Sequence, residues 1–445
     1  MTSNLNSIQL SWIINGLVLF LAISFSIGIL LKVKFADKGY KLLFVVYILF
    51  WIPLMLTREN TGNIQKAFDP DNIYLWIPLT SYGLIGIFIR IFGDYFTYKF
   101  MSRKSLIYFA LFIQIITYLP ILFVQNTLTN VIQSLGVGIG ASCVGTYQLL
   151  FNEQYGKAKQ FLTVSILSIP PLMADIISSP ISALFRSNNV YDTNTLKYIW
   201  LLGLGFVVSC IILTFFIKEN RQLLFLDNKV KKPLSGSKQI FYFVLLSIVG
   251  LLIMFVKFAN SGATAILHIQ KLSGDTSGPY EAYSSLIFNV GQLIGGVLTG
   301  MILMNKLGKF QTFTIGASIW IVYQILTIFV ANPFLYMTIH SLNGLSYGIL
   351  YNLIMIFVLE LFFLNTKKIT PMGLYQGILC IGISASYAFV GLIKKELKDL
   401  DWSQYQHKMV IINSILIAAI IVSYALYCWY YFANQWLNSK KQNNI

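Results

Sequence analysis

The sequence predicts an all-α polytopic membrane protein: two six-helix bundles related by pseudo-symmetry, preceded by one extra N-terminal transmembrane helix. Three observations carry that reading. Of 445 residues, 56% are hydrophobic and only 11% are charged, where a soluble domain has about 25% charged. The apolar residues fall in blocks close to the ~20 residues that cross a bilayer as a helix. The second half of the chain also repeats features of the first at a fixed offset of 207 residues.

A hydropathy window places spans at 11–31, 42–57, 73–96, 105–124, 130–151, 161–185, 198–217, 240–260, 282–304, 311–330, 334–363, 371–393 and 409–432. Residues 1–10 hold no Lys or Arg, whereas Lys32, Lys34, Lys38 and Lys41 follow the first span. That polarity reads as a retained anchor with its N-terminus outside rather than a cleavable signal. The sixth span is broken by Pro170-Pro171 and Pro180. Assigning alternate loops to the cytoplasm puts 21 of the 32 Lys+Arg there, ten on the other side and Arg90 within a span. The net charge of +16 is thus mostly topology, and no nucleic-acid partner is implied. The expected setting is the cell membrane, with a cytoplasmic C-terminus.

The longest basic loop, around Lys229, Lys231, Lys232 and Lys238, separates six spans from six. At the offset of 207, Gly93 matches Gly300, Lys99 matches Lys306, Ser134-Leu135 matches Ser341-Leu342 and Glu153 matches Glu360. The expected organisation is the extra helix and its basic loop (1–40), the first bundle (41–218), a basic linker (219–238), the second bundle (239–433) and a cytoplasmic tail (434–445). Around the second and third core helices the chain reads Gly93-Asp94…Lys99…Arg103-Lys104, and again Gly300…Lys306-Leu307-Gly308-Lys309. This resembles the loop motif of the major facilitator superfamily, with Tyr98 and Asn305 where the family has Asp. The resemblance covers about 42–432 and implies a parallel duplication of six helices working by alternating access. It also implies a latch at the cytoplasmic helix ends, in which Lys99, Arg103 and Lys306 pair with Glu153 and Glu360 and break on rocking.

Charge inside a span is costly, so it normally faces a cavity or a partner. Arg90 lies nine residues before Lys99, about 13 Å from that interface at 1.5 Å per residue. Arg58 ends the first core helix, and Lys257 closes the apolar run of the seventh. Asp175 falls mid-span after Pro170-Pro171. Three cations at such depths would concentrate anions. The stretch Leu56-Thr57-Arg58-Glu59-Asn60, the thirteen-residue spacing from Arg90 to Arg103, Pro170-Pro171-Leu172 and the place of Lys257 resemble the organophosphate:phosphate antiporters. That resemblance implies a sugar phosphate or glycerol phosphate as substrate, exchanged for phosphate, with Arg58, Arg90 and Lys257 as substrate-binding residues. Asp175, His340 and Tyr82 are further candidates for substrate contact or proton coupling.

Two other readings stay open: a proton-coupled facilitator in which Asp175 carries the proton, and a polytopic membrane protein that does not transport. An enzyme is not expected, because the loops are short and carry no paired-carboxylate spacing, nor a glycine-rich phosphate loop. The four cysteines are far apart within apolar runs, so neither a metal nor a cofactor is expected. The expected partners are the lipid bilayer and a small anionic substrate, with the chain a monomer.

Overall fold

The computed structural model describes residues 38–58, 60–68, 76–100, 102–154, 169–185, 193–219, 236–274, 278–361, 371–397 and 400–442, with eight positions between 13 and 27. Those eight, all helical, belong to the first expected span. The linker proper and the far end of the tail lie outside the described residues.

Sixteen α-helices follow in chain order among the described segments from Lys38 onward. The first half contains α1 (Lys38–Arg58), a short α2 (Thr61–Phe68), α3 (Trp76–Lys99), α4 (Arg103–Phe123), α5 (Thr127–Ser142), α6 (Val144–Gln154), α7 (Ile169–Phe185) and α8 (Thr193–Phe215). The second contains α9 (Gly236–Asn260), α10 (Ala263–Ser273), α11 (Gly278–Leu298), a π-turn (Thr299–Leu303) and α12 (Met304–Lys306). It continues with α13 (Gly308–Phe329), α14 (Pro333–Leu361), α15 (Pro371–Leu397) and α16 (Trp402–Gln442). Ten stretches among them are long and apolar enough to cross a membrane, and Ile169–Leu184 is a shorter apolar helix. Large apolar side chains such as Phe88, Phe92, Phe112, Ile116, Phe329 and Phe432 stand exposed on the outside, as a lipid-facing surface requires. The protein is a multi-pass membrane protein.

Local chemistry sets several helix ends. Ser102 caps α4 by accepting from the Ser105 amide, and Asn126 with Thr129 forms a reciprocal capping box on α5. The span expected at 130–151 is one helix in outline but breaks at Cys143, whose amide turns to the Gly140 carbonyl at 2.9 Å. The span expected at 240–260 does not stop there. A glycine with positive φ, Gly262 at 57°, turns the chain into α10.

The duplication is visible in the helix boundaries. Lys99 and Lys306, or Gln154 and Leu361, end matching helices 207 residues apart; Thr127 and Pro333 begin them 206 apart. Packing repeats as well: α1 lies on α7 and α8 as α9 lies on α15 and α16. Similarly α3–α5, α4–α5 and α4–α8 are matched by α11–α14, α13–α14 and α13–α16. Two seams join the halves, α3 against α15 and α7 against α11. A two-fold exchange of the halves converts one seam into the other, which is the symmetry of a parallel repeat.

Candidate functional site

Of the intramembrane charges, Arg90 and Asp175 lie at these seams and Arg58 and Lys257 beside them. Arg58, at the last position of α1, is 9% exposed. Its Nη1 donates to the Tyr82 hydroxyl of α3 at 3.3 Å and its Nη2 to the Met55 sulfur at 3.6 Å. The guanidinium also sits 5.7 Å from the Tyr82 ring centroid and 5.8 Å from that of Phe258, in the other half. Lys257 places its ammonium 4.4 Å from Phe258, 4.6 Å from Tyr347 and 5.4 Å from Phe288. These rings come from α9, α14 and α11, so the lysine lies in an aromatic box. Arg58 and Lys257 thus meet on opposite halves around one ring, Phe258.

Arg90 spans the α3–α15 seam deeper in the bundle. Its Nη1 donates to the Gln376 side-chain oxygen at 2.9 Å and to the Gln376 carbonyl at 3.4 Å. Its Nη2 reaches the Ala141 carbonyl at 3.4 Å. All three acceptors are neutral, and Nε is buried without a hydrogen-bond partner. Small neighbours leave room for the guanidinium: Gly86 packs on Cys380 and Ser142, and Gly145 on the Gln376 side chain.

Asp175 bridges the other seam. It is 1% exposed and accepts from Ser285 at 2.8 Å and Asn289 at 3.0 Å on α11. On its own helix Ser179 donates at 3.1 Å. Pro170-Pro171 begins α7 rather than breaking it, since neither ring needs an amide partner in a first turn. Asp175 lines a narrow polar cleft with Asn60, Ser178, Ser182, Glu281 and Ser284 among its walls. The cleft has room for about one water.

Of the remaining candidates, all but Tyr82 lie elsewhere. His340 is 1% exposed and its Nδ1 pairs with the Tyr323 hydroxyl at 3.1 Å within the second half. Three positions on, Asn343 accepts from the Trp320 indole at 2.7 Å. Tyr82 joins Arg58 as described. Lys99 and Lys306 close α3 and α12 with exposed side chains. The Arg103 backbone amide and the Ser102 hydroxyl both donate to Glu219, beyond α8, at 2.5 and 2.6 Å. Glu153 and Glu360 fall on helices, but their side chains lie outside the described residues.

Three participants escaped the sequence reading. Gln376 is a neutral amide in an apolar run and carries no charge signal. Phe258 looks like any core aromatic. The third was readable: Asn60-Thr61-Gly62 recurs as Asn260-Ser261-Gly262 at an offset of 200. Both asparagines donate back to their own helix, to Leu56 at 2.6 Å and Val256 at 2.9 Å. In that register the repeat mate of Arg58 is Phe258, and that of Lys257 is Thr57.

No protein-family model and no curated protein matches the sequence. Among solved structures, the chain is similar to the crystal structure of a major facilitator superfamily transporter, FucP, in the outward conformation. The TM-score is 0.58 at 13% identity, over 87% of this chain and 98% of that one. With the paired seams and the repeated packing, this likeness identifies the architecture: the chain has the major facilitator fold.

Proposed function

We propose that the chain is a secondary transporter that moves a small anion across the cell membrane by alternating access, with a sugar phosphate or glycerol phosphate exchanged for phosphate. The observation that supports it most is Arg90. Removing one partner of a buried ion pair typically costs ~3–5 kcal/mol, and Arg90 sits mid-span with neutral acceptors alone among the described residues. A phosphate or carboxylate would supply the charge-assisted, two-point contact that those acceptors do not. Arg58 and Lys257, one per half around Phe258, would add field and grip the substrate from both sides. In this reading the halves are 41–218 and 239–433, joined by the basic linker 219–238. The extra helix (1–40) starts outside and the tail (434–445) is cytoplasmic. Lys99, Arg103 and Lys306 would latch to Glu153 and Glu360 at the cytoplasmic face, and the chain would act as a monomer.

The test is uptake of labelled glycerol phosphate into liposomes loaded with phosphate and carrying the purified full chain. Uptake should need internal phosphate and be lost in Arg90→Ala. Uptake of a neutral sugar that phosphate esters do not inhibit would sink the reading. A second reading rests on Asp175, a buried carboxylate joined to the opposite half through Ser285 and Asn289. If Asp175 carries a proton, transport follows a pH gradient and Asp175→Asn uncouples it.

A further inference from the structure

The seam that holds Arg90 suggests how an anion site could be shaped by the opposite half. Guanidinium offers two edges for two-point binding: Nη1 with Nη2, and Nη2 with Nε. In this chain Nη1 is taken. Both acceptors of Gln376, side-chain and backbone oxygen, converge on it. Gln376 is itself fixed: it is 3% exposed, and its Nε2 donates to the Met355 sulfur of α14 at 3.5 Å. The other edge is differently placed. Nη2 has one long contact to the Ala141 carbonyl, and Nε has no partner.

We infer that Gln376 is a positioning residue for anion binding: from the second half it holds Nη1 of Arg90 and so presents the Nε/Nη2 edge to a phosphate or carboxylate. This inference rests on the anion-transport reading above. It has a mechanical corollary. Arg90 rides on α3 and Gln376 on α15, so any rocking that parts these helices withdraws the positioning contact. The anion is then held firmly in the state where the seam is closed and loosely in the state where it is open. Release on one face thereby follows from the domain motion itself, without a competing ion.

The experiment is calorimetric titration of inorganic phosphate and glycerol phosphate into the purified full chain in lipid nanodiscs. Gln376→Met keeps the length of the side chain and removes its acceptor. It should weaken phosphate binding by ~10-fold, the scale of one hydrogen bond to a charged group. Gln376→Glu places a carboxylate on Nη1 and neutralises the guanidinium, so binding should fall further, by ~100-fold or more. The discriminating step repeats Gln376→Met in an Arg90→Lys background. A lysine has no Nη1 to position, so the Gln376 effect should shrink to less than about twofold, a coupling a purely structural role would not give. An unchanged affinity in Gln376→Met, or an undiminished effect beside Arg90→Lys, overturns the inference. If Arg90→Lys and Arg90→Met bind phosphate as the unaltered chain does, it is the anion-transport reading that fails.

Discussion

A side chain that carries charge into a bilayer is stable in proportion to what surrounds it, and the four here are surrounded in different ways. Asp175 is enclosed by hydroxyl and amide donors, Lys257 by aromatic faces, Arg58 by aromatic faces together with a hydroxyl and a thioether that accept from it, and Arg90 by neutral oxygens. Each environment predicts a different sensitivity. Arg90→Lys keeps the charge but loses the planar fork, so half-saturating phosphate should rise by ~10-fold or more while the protein stays folded. The Lys257 box is built for a cation of either shape, since arginine also stacks on rings. Lys257→Arg should therefore retain transport, whereas Lys257→Glu should abolish it; exchange assays on the two variants decide. His340 is engaged by Tyr323 and packs on the Phe288 ring of α11. For His340→Gln we expect a modest loss of stability, about 1 kcal/mol, and near-normal exchange.

At the scale of helices, close approach is set by glycine. Gly291 and Gly295 of α11 face the backbone of Ser341 and Leu345 on α14, and Gly344 and Gly348 answer by facing Phe288 and Gln292. Four glycines thus let two helices meet main chain to main chain, the arrangement small-xxx-small pairs favour in membranes. A Cβ at Gly344 would strike the Phe288 carbonyl. Because neither backbone can yield, Gly344→Ala should cost about 1–3 kcal/mol, read as a lowered melting temperature in detergent. Both pairs show the same Gly-x-x-x-Gly spacing in the sequence, but that they answer one another was hidden, because nothing in one helix's spacing says which face its neighbour presents. The seam contacts were hidden for the same reason. Gln376 and Phe258 acquire meaning only when α15 and α9 are brought against Arg90 and Arg58, whereas hydropathy and the 207-residue repeat had already fixed which helices exist and how they pair in sequence.

Over the whole molecule, the helix ends near Arg58 are drawn together. Trp76 at the start of α3 packs on Gly391 near the end of α15, and Asp175 ties α7 to α11. A Cβ at Gly391 would collide with the Trp76 Cβ, so Gly391→Val should hold these helix ends apart and slow exchange, and Trp76→Gly in the same chain should relieve the effect, as read by uptake of the single and double variants. The extent of the fold that sequence alone could deliver is clear at this scale. Span positions and the duplication needed only composition and periodicity, which repeat along the chain. The broken helix at Cys143 and the added α10 beyond Asn260 needed the local backbone, where one residue decides the turn.

The repeat that frames the molecule stops at its charges. At the offsets that align the helices, Arg58 faces Phe258, Arg90 corresponds to Val297, Asp175 to Gly382 and Lys257 to Thr57. Not one of the four has a charged mate. A scaffold with two interchangeable halves would present the same site to either compartment, and its two half-cycles would be mirror images. Here the scaffold is symmetric but the electrostatics are not, so in the proposed transport cycle the inward and outward strokes would run on different energy profiles. Half-saturation measured from one side of a uniformly oriented vesicle should differ from that measured from the other, and the ratio would express how far the duplicated halves have parted in function.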